Sequence, residues 1–241
     1  MPKSCIPDSF DALDPFDMAM LDLGDMDLFG EYLANIERFL DNHLQKHSEH
    51  YEALRSKLQS DGTTVSPYDQ VPGEILIEEM LVGRFEGFAN ILRKSFFISI
   101  YGWLESRLTE ECCRRDSKWK TRIKEERISG STMKKAMSYL TQFQGVNYPL
   151  GENIEWCRIN GDYRRLRDCI VHCEGKPDER CRDKTELEDY IARETTLTSP
   201  YGDEIVLSAD FCAEALDTIT RFYISVLLAC GRVSMSRLDD K

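Results

Sequence analysis

Apolar residues recur every three or four positions over most of the chain, the spacing that buries one face of an α-helix. Leu33, Ile36, Leu40, His43, His47 and Leu54 predict a helix over Tyr32 to about Leu58. After a turn-rich stretch from Ser60 to Gly73, the longest pattern runs from Glu74 to about Cys113 through Ile77, Leu81, Phe85, Phe88, Leu92, Phe96, Trp103 and Leu108. Ser131 is placed to cap a shorter helix through Met133, Met137 and Leu140. The cleanest stripe is Trp156, Ile159, Tyr163, Leu166, Ile170 and Cys173, which predicts a helix from about Asn153 to Cys173 with one apolar seam, stopped by Gly175 and Pro177. Short β-rich runs at Glu194–Thr198 and Glu204–Leu207 flank a Ser-Pro-Tyr-Gly-Asp turn and predict a hairpin. Ser208 then caps a final helix through Phe211, Ile219, Phe222 and Leu227. The expected fold class is mainly α, a helical bundle with a small peripheral hairpin before the last helix.

Composition places the 241 residues among soluble globular chains, with 41% hydrophobic residues. No apolar run reaches the roughly 18–20 residues of a bilayer span, and the start of the chain does not read as a signal peptide. The nine cysteines are odd in number and lie mostly within helical patterns, which favours reduced thiols and a cytoplasmic setting over a disulfide framework. No membrane partner is expected.

The net charge of −12 conceals segregation. Seven aspartates and no Lys or Arg lie between Ser4 and Gly30, mixed with Phe, Met and Leu, so residues 1–30 read as an acidic-hydrophobic arm that is either flexible or packs on its own domain or a second subunit. Residues 31–73 come next as a helix and loop, 74–232 as the main helical domain and 233–241 as a tail. From Arg114 to Lys135 nine basic residues face three acidic ones, a candidate phosphate-binding surface that includes Arg114, Arg115, Lys118, Lys120, Arg122 and Lys124. Trp119 within it is placed either to stack on a base or to anchor the core. An acidic arm lying on this patch would mimic nucleic acid.

The chemistry-bearing segment is Arg167-Asp168-Cys169-Ile170-Val171-His172. Asp168 and His172 are four apart on a helix, so the carboxylate is expected to orient the imidazole, while Arg167 reaches a phosphate near the helix end. The alternative is a His that caps the helix beside a surface Arg. Two other groupings suggest metal ligands. His43, His47 and His50 share a helix face without an evident fourth ligand. Cys169, His172 and Cys173, near Cys157 and Cys181, do not have a standard structural zinc spacing, and small-hydrophobe roles are the favoured reading. No metal site and no cofactor is expected, and no phosphate-binding loop, dinucleotide fingerprint or nucleophile elbow is present.

The Arg167-to-His172 hexamer resembles the Arg-polar-x3-His signature of HEPN ribonuclease domains (higher eukaryotes and prokaryotes nucleotide-binding). Tyr101 to Leu108 is similar to the Leu-Glu-Ser helix of bacterial standalone members, and Glu155-Trp156 to Gly175 to their motif helix. The likeness covers roughly residues 74–232. It implies an all-helical, metal-independent endoribonuclease, a homodimer joining two Arg–His motifs, and a toxin or anti-phage defence setting with an antitoxin or sensor protein as a partner. His172 would share acid–base work across the dimer, Arg167 would hold the phosphoryl oxygens, Asp168 would orient, and Glu105 on the facing helix would support. RNA contacts are expected from the basic run together with Arg158, Arg164 and Arg165. The products would be a 2′,3′-cyclic phosphate and a 5′-OH. Some members carry a nucleotidylated tyrosine two residues after the His; here that position is Glu174. A non-catalytic helical module that binds a partner protein or nucleotide is the competing expectation, favoured by the acidic arm.

Overall fold

The structure is a computed structural model that describes residues 15–60, 73–199 and 204–231. It is mainly helical, with one two-stranded antiparallel hairpin before the final helix. Two long helices, α1 (Pro15–Ser60) and α2 (Gly73–Arg115), pack against each other and, near their junction with the main body, against the last helix, α8 (Ala209–Ala229). Between α2 and α8 the chain adds α3 (Trp119–Glu125), α4 (Thr132–Phe143), α5 (Ile154–Arg158), α6 (Arg164–His172) and α7 (Lys184–Arg193). The hairpin pairs β1 (Leu197–Thr198) with β2 (Val206–Leu207), Leu197 opposite Leu207. The expected Ser60–Gly73 loop, the hairpin tip and the 233–241 tail lie outside the described residues, apart from the ends of the flanking helices.

Both caps expected from the sequence form. Ser131 Oγ accepts from Lys134 N and Ser208 Oγ from Phe211 N, each satisfying a first-turn amide. Among the described residues no helix is long and apolar enough to cross a membrane. The apolar spacing predicts neither α3 nor α7. They are short, and each buries only two residues along its length: Trp119 and Ile123 in α3, Leu187 and Tyr190 in α7.

Of the alternatives for residues 1–30, packing on the chain's own domain is what the structure shows from Pro15 onward, as the first part of α1 and not as a separate arm. Met26, Leu33, Ile36 and Leu40 form one buried face that continues through Gly30 without a break. Asp22, 2% exposed, accepts from the Tyr223 hydroxyl at 2.7 Å and lies 3.4 Å from Arg107 and 3.9 Å from Arg114. Asp25 accepts from Trp103 Nε1 and Arg107 Nη2. Further along, Arg93 of α2 grips Glu37 of α1 with two hydrogen bonds of 2.9 and 2.6 Å. Acidic residues of the segment thus hold α1 to the bundle. Of the basic run they reach Arg114, while Asp8, Asp11 and Asp14 lie outside the described residues.

The seam of the motif helix faces the chain's own core, so it gives no ground for a helix pair between subunits. Trp156 stacks on Phe222 of α8 at 5.4 Å, and Tyr163 meets Phe97 of α2 at 5.6 Å and Phe211 of α8 at 5.8 Å. The helix is also not uniform. Between α5 and α6 the turn Ile159–Tyr163 is a π-helix, which takes in one extra residue per turn and shifts the helical phase of the residues beyond it. Past Leu166 the buried position is Cys169, three residues on, while Ile170 is only half-buried.

The buried Asp22–Tyr223 pair and the half-exposed Asp25 make different demands on stability. Asp22→Ala leaves the Tyr223 hydroxyl without its acceptor and should cost about 1–3 kcal/mol, read from denaturant midpoints. Asp25→Ala, at a partly exposed pair, should cost under about 1 kcal/mol.

Candidate active site

α6 carries Arg164, Arg165, Arg167, Asp168 and His172 on the side left over once Leu166 and Cys169 enter the core. Facing it, Tyr101 and Glu105 project from α2, and Gly130 to Lys134 bring in the first turn of α4. Asn160 and Gly161 of the π-turn close one end and Arg182 the other. These residues enclose a cleft of about 760 Å³, which adjoins a smaller pocket of about 230 Å³ that shares Arg164, Arg165, Asp168, His172 and Arg182.

The cleft is strongly cationic. Lys134, Arg164, Arg165, Arg167 and Arg182 line it against two carboxylates, Glu105 and Asp168. The first turn of α4 has no acidic residue, so its positive dipole end adds to the same field. Gly130, at φ +121°, admits Lys134 here; a Cβ at that position would lie 2.7 Å from Lys134 Cδ.

Each arginine of α6 is held in place. Arg167 Nη1 donates to Asp168 at 2.8 Å, its Nη2 lies 3.8 Å from Glu105, and its guanidinium sits 5.8 Å above the Tyr101 ring. Arg164 donates to Asp183 at 2.7 Å and to Asp168 at 3.3 Å. Arg165 lies 3.4 Å from Asp162 and 3.8 Å from Asp183. Arg182 and Lys134 are exposed and form no ion pair among the described residues. Pairs this exposed contribute little stability, about 0–1 kcal/mol each, so what they supply is orientation. Burial raises the Glu105 carboxyl above its usual range, and Arg167 partly offsets that shift. The Tyr101 hydroxyl is pushed up by its burial as well.

His172 lies at the last turn of α6, exposed at the cleft wall. The expectation that Asp168 orients it is corrected. Both Asp168 oxygens go to guanidinium groups, Oδ1 to Arg167 and Oδ2 to Arg164, because these flexible cations sit on the same face of the helix. Glu105 does stand opposite Arg167, as its placement on the facing helix suggested.

The basic run splits. Lys134 enters the cleft, whereas Lys118, Lys120 and Lys124 are exposed on and beside α3 and line no part of it. Arg114 and Arg115 are bound to Glu111, and Arg122 to Asp116. Arg158 is committed to Glu194 and Glu214 and stacks 5.3 Å from the Tyr163 ring. Trp119 is buried and donates to Cys113 Sγ, so it anchors the core. The cleft cation that sequence reasoning misses is Arg182, and Lys134 is reached only as one member of the basic run. Arg182 has no signal beyond its place in the charged loop after Pro177.

No match was found to a protein family, to a curated protein or to a solved structure.

Of the two metal candidates, the histidines of α1 turn to an aromatic ring: His43 stacks on Phe85 at 5.1 Å and His47 lies 6.0 Å from it. The cysteines behave otherwise. Cys173, Asp178 and Cys181 place potential ligand atoms within 4.8 Å of one another. Burial pushes the Cys173 thiol up to about 11, with its neighbour Cys181 adding to the effect, and raises Cys169 as well.

Anion binding should follow the cleft. Replacing Lys118, Lys120 and Lys124 together by Ala should leave the affinity for a short oligonucleotide within about twofold. Replacing Lys134 and Arg182 should lower it about tenfold, at roughly 0.7 kcal/mol for each exposed cation. Titration at fixed ionic strength distinguishes the two.

Proposed function

We propose that the cleft is the active site of an endoribonuclease that cuts RNA by attack of the ribose 2′-OH on the adjacent phosphate. The observation that carries this reading is an exposed imidazole, His172, on the wall of a cleft whose other charged groups are mostly guanidinium and ammonium. Such a lining recognises phosphodiester oxygens, and the imidazole supplies a group that can accept and return a proton. The similarity of the motif to HEPN ribonucleases supports the same assignment.

The reaction needs a base to take the 2′-OH proton, a cation for the charge on the phosphorane, and an acid for the departing O5′. As the 2′-oxygen bonds to phosphorus, the P–O5′ bond breaks, leaving a 2′,3′-cyclic phosphate and a 5′-OH. Arg167 stabilises the phosphoryl oxygens and His172 moves a proton. Attacking and leaving oxygens lie on opposite sides of phosphorus, so a single imidazole is poorly placed to serve both. A second chain supplies the other His172, which makes the homodimer part of the proposal. Val171, apolar and 45% exposed beside His172, is a side chain that such a neighbour would cover. Asp168 acts through the arginines: it keeps Arg164 and Arg167 on one face. A cytoplasmic toxin or anti-phage setting, with an antitoxin or sensor partner, belongs to the same reading.

A second reading, a non-catalytic module that binds a partner protein, has one observation in its favour. Leu21, Leu28, Tyr32 and Phe39 are exposed on α1 at spacings of seven, four and seven, a stripe that a partner helix would cover.

The nuclease reading predicts cutting of a mixed RNA pool with no divalent cation added, leaving cyclic-phosphate ends. His172→Ala should lower the rate about 10²–10⁴-fold and Arg167→Ala about 10²–10³-fold. Variants that cut like the wild type, or ends bearing 3′-OH and 5′-phosphate, would contradict it.

A further inference from the structure

The thiols that flank His172 in sequence converge in space with a third. Cys169 and Cys173 are one turn apart at the end of α6 and both are buried. The chain then reverses through Glu174 at φ 56° and Gly175 at φ 75°, and returns Asp178 and Cys181 to the same spot. Cys173, Asp178 and Cys181 bring their ligand atoms within 4.8 Å of one another, and Cys169 lines the same small pocket. No disulfide joins them. The reversal is pinned: Lys176 N donates to Cys173 O, Cys181 N to Asp178 O, and Ile205 N to Gly175 O.

We propose that Cys169, Cys173 and Cys181, with Asp178 as the fourth ligand, form a structural site for a soft divalent ion of the zinc type. Thiols gain little from contact with one another, since S–H is a weak donor, and an apolar role does not account for a carboxylate drawn in beside them. Three sulfurs and one oxygen are a donor set suited to tetrahedral zinc, with Zn–S near 2.3 Å. That length places the sulfurs about 3.8 Å apart, so Cys173, Asp178 and Cys181, all within 4.8 Å, tighten by up to about an ångström and Cys169 turns in from the pocket wall to join them. Cys181 and Asp178 sit on a loop whose side-chain rotations supply that movement.

Arg180 donates to both Asp178 oxygens and holds the carboxylate as an outer partner orients a metal ligand. On binding, the three thiols release their protons to solvent as the metal–sulfur bonds form. The donor set fills all four positions, so the ion takes no part in chemistry at the cleft. It clamps the end of α6, and with it His172, which lines the same small pocket as Cys169, Cys173 and Cys181. Whether the ion binds does not depend on the cleft cutting RNA.

Elemental analysis of the desalted full-length protein, prepared without chelator, should find about one zinc per chain. Cobalt(II) loading should give sulfur-to-metal charge-transfer absorption in the near ultraviolet and the intense visible bands of a tetrahedral site. Both should be lost in Cys173→Ser and in Cys181→Ser, and both should persist in Cys157→Ser, whose thiol is exposed elsewhere. Should the serine variants fail to fold, alkylation mapping of the wild type decides: zinc should protect Cys181 and leave Cys113 and Cys157 reactive. A folded wild-type protein without zinc and without a charge-transfer band would overturn the proposal, as would cobalt bands that survive loss of Cys173 or Cys181. A Cys173–Cys181 disulfide in the isolated protein would do the same.

Discussion

Tyr163 meets Phe97 and Phe211 edge-on while those two rings tilt against each other, and this three-ring contact fixes the helix that carries the cleft. Tyr163 is the last residue of the π-turn, so its position sets the phase of every residue of α6. Each aromatic pair adds about 0.5–1.5 kcal/mol beyond the area it buries. Because α2 packs on α6 while α8 packs on α5 and on Tyr163 of the π-turn, Arg164, Arg165, Arg167 and His172 are left to face the cleft. A π-turn at this place is the fold's means of keeping Tyr163 and Leu166 buried while four polar residues of α6 share one wall.

Crowding several cations on one wall requires counter-charges, and the structure supplies them at graded strength. Asp168 and Asp183 hold Arg164 and Arg167 at 2.7–3.3 Å, while Glu105 stands off at 3.8 Å from Arg167. Burial raises its carboxyl above the usual range, and at 3.8 Å it is a looser partner for Arg167 than Asp168, so an approaching phosphate displaces it most readily. The acidic start of the chain does similar work elsewhere. Asp22 and Asp25 neutralise Arg107 and, in part, Arg114, which removes part of the basic run from any role as a free surface. The protein's net acidity and its local cationic cleft are therefore compatible: Asp22, Asp25, Glu37 and Glu111 are used inside the bundle or at its helix junctions, away from the cleft.

Helix existence is legible in the sequence because it depends on period alone, and so are the Ser131 and Ser208 caps, which depend on one hydroxyl at one position. The N-terminal extension of α1 reads as an arm because of its aspartates. The signal that identifies it as helix is the spacing of Met26, Leu33 and Leu40, continuous with the rest of α1. The exchange of Ile170 for Cys169 at the core is not legible, since the two stand three and four residues past Leu166 and helical spacing fits both. The Arg167, His172 and Glu105 positions are correctly grouped by sequence, but Asp168 goes to the arginines. Helical spacing tells which side chains share a face and not which of them wins a shared carboxylate. The density of charge along residues 114–135 is likewise no guide to direction in space.

The most direct test of the central claim is a DNA strand that contains a single ribonucleotide, incubated with the full-length protein. One 2′-OH in an otherwise inert backbone isolates the nucleophile on which the assignment of His172 and Arg167 depends. The account predicts one cut, on the 3′ side of the ribonucleotide, leaving a 2′,3′-cyclic phosphate, and no cut with His172→Ala. Cleavage of the all-DNA strand, or scission at positions away from the ribonucleotide, would contradict it.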